Sequence, residues 1–352
     1  MEGSVSARAP RAGFAPSYRN FIAGIVLAGA VSVAAVIAAP HMPKSIPLPA
    51  MVLALLVAMA LHSLTRIPIF APGLTFCAKP LLKWSVALLG MRVAFGDIID
   101  LGAPVAVMVV VSMIATIAAS MLLAKVLKQN PFFGILVGSA TAVCGASAAL
   151  ATSTVLPNYK GRDTDLAFVI VGVNLLATLA MLAYPPLCSF LGFDERTTGV
   201  MLGGTIHDVA QVVGAGYAVS DTAGNAAAIV KLFRVFLLLP VVLAFGSYVT
   251  RLTGRHEEAR VAVPVFAIVF LILCVINSVM SSISSIAPEY HVIKQIAVEF
   301  STWGLLLALS AIGLNTSVKS MFSLGWRHLA GLFCATATIL IVMTTSLALF
   351  PS

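Results

Sequence analysis

Charge is what this sequence lacks. Asp, Glu, Lys and Arg make up 10% of its 352 residues, against about 25% in soluble domains. So little polar surface excludes a soluble globular protein. Long polar stretches are missing too, which leaves no room for an appended soluble domain. No G-x-x-x-x-G-K-[ST] phosphate loop occurs, which argues against ATP-driven transport by this chain alone. The five cysteines are dispersed and form no C-x-x-C pair, which argues against a disulfide framework or a zinc site. Nothing points to a cofactor. The net charge is +8, but the basic residues sit at the ends of apolar runs without interleaved aromatics. The excess therefore reads as membrane topology, with no nucleic-acid partner.

What the chain has is hydrophobic residues, 60% of the total. Runs of about 17 to 25 apolar residues predict membrane-spanning helices. Eleven are expected, at 20–39, 47–64, 75–95, 102–126, 131–156, 165–190, 197–218, 225–249, 262–283, 294–315 and 326–349. Residues 1–19 form a polar tail without a small-residue cleavage site, so the first run reads as an anchor. Residues 20–352 are expected to form one transmembrane domain. With the N-terminus in the cytoplasm and the C-terminus outside, Arg8, Arg11, Arg19, Arg66, Lys79, Lys125, Lys128, Arg196, Arg251, Arg255, Arg260, Lys319 and Arg327 fall on the inner face. Lys44, Lys160 and Arg162 fall on the outer face with Asp97, Asp100, Asp163, Asp165, Asp221 and Glu289. That asymmetry follows the positive-inside rule.

Two internal similarities stand out. "ALLGMRVAFGDIIDLG" (87–102) matches "SAIGLNTSVKSMFSLG" (310–325), with Gly90 opposite Gly313 and Gly102 opposite Gly325. These segments end spans that cross in opposite directions, which suggests an inverted repeat. "GILVGSATAVCGASAALA" (134–151) matches "GVMLGGTIHDVAQVVGAG" (199–216), with Gly134 opposite Gly199 and Gly138 opposite Gly203. Small residues allow close helix packing; equally, they suit helices broken near the bilayer centre, whose free backbone groups can hold an ion. As crossing spans, this second pair would run the same way, so the two similarities do not combine into one symmetry.

Polar side chains at membrane depth cost several kcal/mol, ~2.5–3.5 for a charge on insertion scales, unless they are paired or hydrated. On a continuous helix His207 and Gln211 would share a face, with Asp208 turned about 100° away. They could carry protons or bind a cation and substrate, or simply clamp helices together. Lys231 and Arg234 are one turn apart and could attract an anion or snorkel to the interface. Asn174 is a lone polar residue; Glu299 is a carboxylate candidate; Cys144, Gly145 and Ser147 form the glycine step of the earlier segment. Cys144 with His207 and Asp208 makes a poor hydrolase, because adjacent His and Asp on a helix point apart.

"TAVCGASAALA" (141–151), "GGTIHDVAQVVGAG" (203–216) and "IVKLFRV" (229–235), in that order, resemble the YeiH family of bacterial inner-membrane proteins, whose members carry the label of sulfate exporters. The resemblance runs from about residue 20 to the last span. It implies a plasma-membrane secondary transporter, and a fold like that of the bile-acid sodium symporters with crossing, broken helices. The expectation is thus an all-α polytopic membrane protein moving a small anion (sulfate, sulfite or an organosulfonate) by alternating access. Lys231, Arg234, Gln211, Cys144, Gly145, Ser147 and Asn174 would bind substrate. His207, Asp208 and Glu299 would couple transport to protons or sodium. The chain is not expected to be an enzyme; its expected partners are the solute, the bilayer, Na+ or H+, and a second copy in a homodimer. An anion channel and a membrane sensor remain alternatives, and an intramembrane enzyme a weaker one.

Overall fold

A computed structural model describes residues 18–42, 49–253, 264–282, 287–316 and 326–350. The described residues are helical, without strands, and eight helices are long and apolar enough to cross a membrane. The protein is an all-α polytopic membrane protein. Arg8, Arg11, Lys44, Arg255, Arg260 and Lys319, and most of the second copy of the 87–102 repeat, lie outside the described residues.

The chain begins with α1 (Tyr18–Ala38) and returns through the short α2 (Ala50–Ala60). The next span starts at Pro68, earlier than expected, and runs to Met91. It comprises α3 (Ala71–Phe76), a π-helical turn containing Pro80, and α4 (Leu82–Leu88). Lys79 therefore lies inside a span and not in a connecting loop. Next come α5 (Phe95–Val126), bent at Gly102 where φ is 70°, and α6 (Pro131–Ala142), α7 (Ala146–Ser153) and α8 (Arg162–Phe190). They are followed by α9 (Glu195–Thr205), α10 (Val209–Val219), α11 (Asp221–Phe236) and α12 (Leu238–Thr253), the last two nearly continuous. The chain closes with α13 (Val265–Ser282), α14 (Ala287–Asn315) and α15 (Trp326–Leu349).

Two bundles result. The first holds α1–α4, α13 and α14, with Ala28, Val31, Ala58, Leu74, Cys77, Ala311 and Leu314 as a separate buried cluster. The second holds α5–α12 and α15; the main core fills it and extends to Leu55 of α2, Val86 of α4, Phe270 of α13 and Leu309 of α14. Helix α10 joins them by packing on α2 and α14, and α13 by packing on α5 and α11. In the first bundle, α14 lies beside α4, where Ser301 donates to the Ser85 carbonyl at 2.7 Å.

The second bundle departs from the expected topology. Segments 131–156 and 197–218 were read as spans, but each folds back on itself. In the first, Phe132 at the start of α6 stacks on Tyr159, beyond the end of α7, with ring centroids 5.6 Å apart. Phe133 likewise meets Phe168 near the start of α8. In the second, Cys188 near the end of α8 contacts Met201 of α9, whereas Gln211 of α10 bonds back to Thr178 of α8. Helix α9 thus runs against α8 and α10 runs with it. Each segment is a re-entrant hairpin, and the two enter from opposite faces.

This places Lys160 and Arg162 on the same face as Lys125 and Lys128, and moves Arg196 to the other face. There Arg196 bonds to the Asp100 carbonyl, and lines one cleft with Asp97, Asp100 and Asn225. It also gives the second internal similarity an orientation. The 134–151 and 199–216 segments match because α6–α7–α8 and α9–α10–α11 share one plan, arm, tip, arm and long helix, in opposite orientations. Their aligned glycines each let a hairpin arm approach a long helix closely, the preceding helix in hairpin one and the following helix in hairpin two. A Cβ on Gly134 or Gly138 would press on α5 at Ala124, Met121, Ser120 or Ile117. A Cβ on Gly199 or Gly203 would collide with α11 at Ala223, Ala226, Ala227 or Val230.

Candidate functional site

The hairpin tips meet in the middle of the second bundle. Each has a local reason to break. In hairpin one, Asn130 caps α6 through the Phe132 amide, with Pro131 at the first helical position. Helix α6 then stops at Val143, and Gly145 takes φ 65°, a conformation that disfavours any residue with a Cβ. In hairpin two, Asp194 caps α9, accepting from the Thr197 amide at 2.8 Å. Hydrogen bonds from Thr197 hold its carboxyl below the ordinary carboxylate value. Ile206 is extended, and Asp208 starts α10 by accepting from the amides of Ala210 and Gln211. A Cβ on Gly145 would stand 3.5 Å from the His207 carbonyl.

Non-helical backbone survives at membrane depth only where protein or a water-lined cavity satisfies it. Here two cations do so. Lys231 Nζ donates to the carbonyls of Val143 (2.8 Å) and Ile206 (2.9 Å). Arg234 donates from Nε to Ala142 (3.0 Å), from Nη1 to Gly203 (3.0 Å) and Ile206 (3.1 Å), and from Nη2 to Thr141 (2.8 Å). Both side chains are fully buried. They cap the C-terminal ends of α6 and α9, where helix dipoles are negative. Lys231 and Arg234 therefore lie at the tips as expected, but most of their donors are committed to the protein's own carbonyls.

His207 and Gln211 do not share a helix face, because the break between α9 and α10 separates them. His207 Nε2 bonds to Thr336 Oγ1 of α15 at 3.0 Å. Gln211 Nε2 donates to Thr178 Oγ1 at 2.8 Å and the Asn174 carbonyl at 3.4 Å. Both are fully buried. Asn174 is half-buried on α8 beside this contact. Cys144 is nearly buried at the tip, within the fields of Lys231, Arg234 and Asp208. Ser147 is exposed in the first turn of α7, and Asp208 is half-buried. Glu299 is not part of this site: it is exposed on α14 in the first bundle.

The two inner N-termini differ. Asp208 places its own carboxylate on the start of α10, whereas Gly145 at the N-cap of α7 has no side chain to do so, and only the Cys144 thiol reaches the Ala148 amide. The site thus offers a capped and an uncapped helix N-terminus at one junction.

Sequence reasoning missed Thr178 and Thr336, since isolated threonines in apolar helices carry no signal. It also missed a contact between the bundles. Arg92, just beyond α4, pairs with Asp221 at the start of α11 and lies over the Tyr217 ring, 4.2 Å from its centroid.

The family model "Conserved hypothetical protein 698" matches residues 23–331. UPF0324 membrane protein TauZ of Paracoccus denitrificans is 40% identical, over 85% of this chain and 88% of that protein. A UPF0324 membrane protein of Chlorobaculum tepidum is 35% identical over 94% and 90%. UPF0324 inner membrane protein YeiH of Escherichia coli K12 is 31% identical over 73% and 72%. No solved structure matches.

Proposed function

This chain belongs to the UPF0324 family of membrane proteins, and from that premise we propose that it is a secondary transporter that carries a small anion by alternating access. The observation that carries the reading is the meeting of two oppositely oriented re-entrant hairpins at Gly145 and His207. Opposed hairpins bring helix ends from both faces to one point, the arrangement on which inverted-repeat transporters build midplane sites.

The uncapped start of α7 is the anion seat in this reading. Its first-turn amides at Ala146 and Ser147 have no partner within the helix, the Ala148 amide meets the Cys144 thiol, and together they carry the positive end of the dipole. Cys144, Gly145 and Ser147 shape the seat. Lys231 and Arg234 hold the tips and make the local field positive. Asp208 serves as the coupling carboxylate for a proton or sodium ion, with His207 and Gln211 fixing its hairpin against α15 and α8. Sulfate, sulfite and small organosulfonates are the substrates to try first. Their oxygens match an array of backbone donors.

The charge distribution supports an orientation. The face from which hairpin one enters carries Arg19, Lys125, Lys128, Lys160, Arg162, Arg251 and Arg327, against Asp163 and Asp165. The opposite face carries Asp97, Asp100, Asp194, Glu195 and Asp221 with Arg92, Arg196 and Lys294. The basic face is cytoplasmic by the positive-inside rule, which puts the start of α1 inside and the end of α15 outside.

Purified protein in liposomes tests the function. Saturable uptake of labelled sulfate, sulfite or a small organosulfonate, accelerated by preloading the same anion, is expected. Flux without saturation or counterflow would indicate a channel. Binding without any flux would indicate a sensor, and either outcome overturns the proposal.

A further inference from the structure

Lys83 and Glu299 are bare charges inside the membrane. Lys83 lies well within the Pro68–Met91 span and Glu299 well within Tyr290–Asn315. Both are exposed, and neither has an ion-pair partner among the described residues. Apolar side chains facing lipid need no explanation, but an unpaired charge there does. A lysine stem can lift its ammonium toward the interface; the shorter glutamate has less reach.

The two charges flank one seam. Each lies two residues from the Ser301–Ser85 hydrogen bond that joins α14 to α4. At a rise of 1.5 Å per residue, they sit only about 3 Å to either side of that level. At about 100° per residue, stepping back two positions on each helix turns both side chains away from the seam. Lys83 then marks the far edge of α4, and Glu299 the far edge of α14. Trp84 and Phe300 occupy the face between, 58% and 68% exposed. Lys79, one turn from Lys83, is also exposed and extends the positive edge. The surface thus reads positive, apolar, negative from side to side, with the two charges about 6 Å apart in depth.

Such a pattern is self-complementary. A two-fold axis along the membrane normal, through the apolar middle, sets each positive edge opposite a negative edge about 6 Å away in depth, within reach of the long lysine side chain. We propose that the face formed by α4 and the first half of α14 is a homodimer interface, in which Lys83 of each protomer pairs with Glu299 of the other. The occupant is a second copy of this chain, because the charge pattern complements itself. The proposal does not depend on what the protein transports.

Charge reversal tests it in bilayers, with oligomeric state read by subunit-counting photobleaching at low protein density. The wild-type chain should be dimeric. Lys83→Glu alone and Glu299→Lys alone should each weaken dimerisation by at least about tenfold. Co-expressing the two single variants with different tags should then give a heterodimer in preference to either homodimer, because only the mixed pair restores both contacts. That preference cannot come from pairing within one chain or from misfolding. A monomeric wild type, a dimer indifferent to both reversals, or no heterodimer preference would overturn the proposal.

Discussion

Lys231 donates from Nζ to the carbonyl of Val143 across 2.8 Å, and so ties the long helix that follows one hairpin to the tip of the other. The ammonium is enclosed, and its second bond goes to Ile206. This geometry makes Lys231 a clamp before anything else. Lys231→Met keeps the stem and removes the donors. Ile206 retains Arg234 as a donor, while Val143 loses its contact with Lys231. The variant should lose about 1–3 kcal/mol of stability, the usual cost of stranding a buried polar group, read as earlier thermal unfolding in detergent. If Lys231 were instead a free anion seat, unfolding would be unchanged and only ligand binding would disappear.

The hairpins make a topological prediction that crossing spans do not share. In a background without the native cysteines, Lys125→Cys and Lys160→Cys should label from one side of the membrane. Glu195→Cys and Thr222→Cys should label from the other. All four positions are exposed. If 131–156 and 197–218 crossed, each pair would split between the two sides.

That difference shows what hydropathy can and cannot express. The apolar runs at 131–156 and 197–218 are long enough to span, and length was the criterion that made them spans. The breaks were legible from Gly145 and from the cluster His207–Asp208. The reversal was not, because it depends on contacts such as Phe132 with Tyr159, and composition does not encode direction. The glycine pairs at 134/199 and 138/203 were visible as a repeat, yet their orientation needed the structure. Among site residues, Cys144, Gly145, Ser147, His207, Asp208, Gln211, Lys231 and Arg234 do come together. Glu299 does not, since a carboxylate on an apolar helix looks the same whether it faces a cavity or the outer wall.

Arg92 and Asp221 bridge the two bundles beside Tyr217. Asp221 is 75% exposed, so the ion pair contributes at most about 1 kcal/mol to stability. Its position matters more. It latches the outer end of hairpin two to the end of the first bundle, so a movement that separates these two ends breaks it. Arg92→Ala should leave thermal unfolding within about 1 kcal/mol of wild type. Transport, in contrast, should change severalfold in rate, because the latched and unlatched states differ by this contact. Asp221→Ala should give the same change, and the double variant no further one. Additive effects in that cycle would show that the two residues act separately.

Asp208 separates a structural role from a coupling role more cleanly than any other residue at the junction. Its carboxylate accepts from the Ala210 amide at 2.9 Å and the Gln211 amide at 3.4 Å. An asparagine can cap a helix about as well as an aspartate. Asp208→Asn should therefore preserve the start of α10, with stability within about 1 kcal/mol of wild type. Asp208→Ala should lose the cap as well, at a cost of about 0.5–2 kcal/mol. If the charge couples anion movement to a cation, Asp208→Asn abolishes the response of uptake to an imposed proton or sodium gradient. Exchange of the anion across the membrane continues, because the uncapped start of α7 lies on the other hairpin. An Asp208→Asn protein that still concentrates its substrate against a gradient would remove Asp208 from the coupling step and leave it as a cap alone.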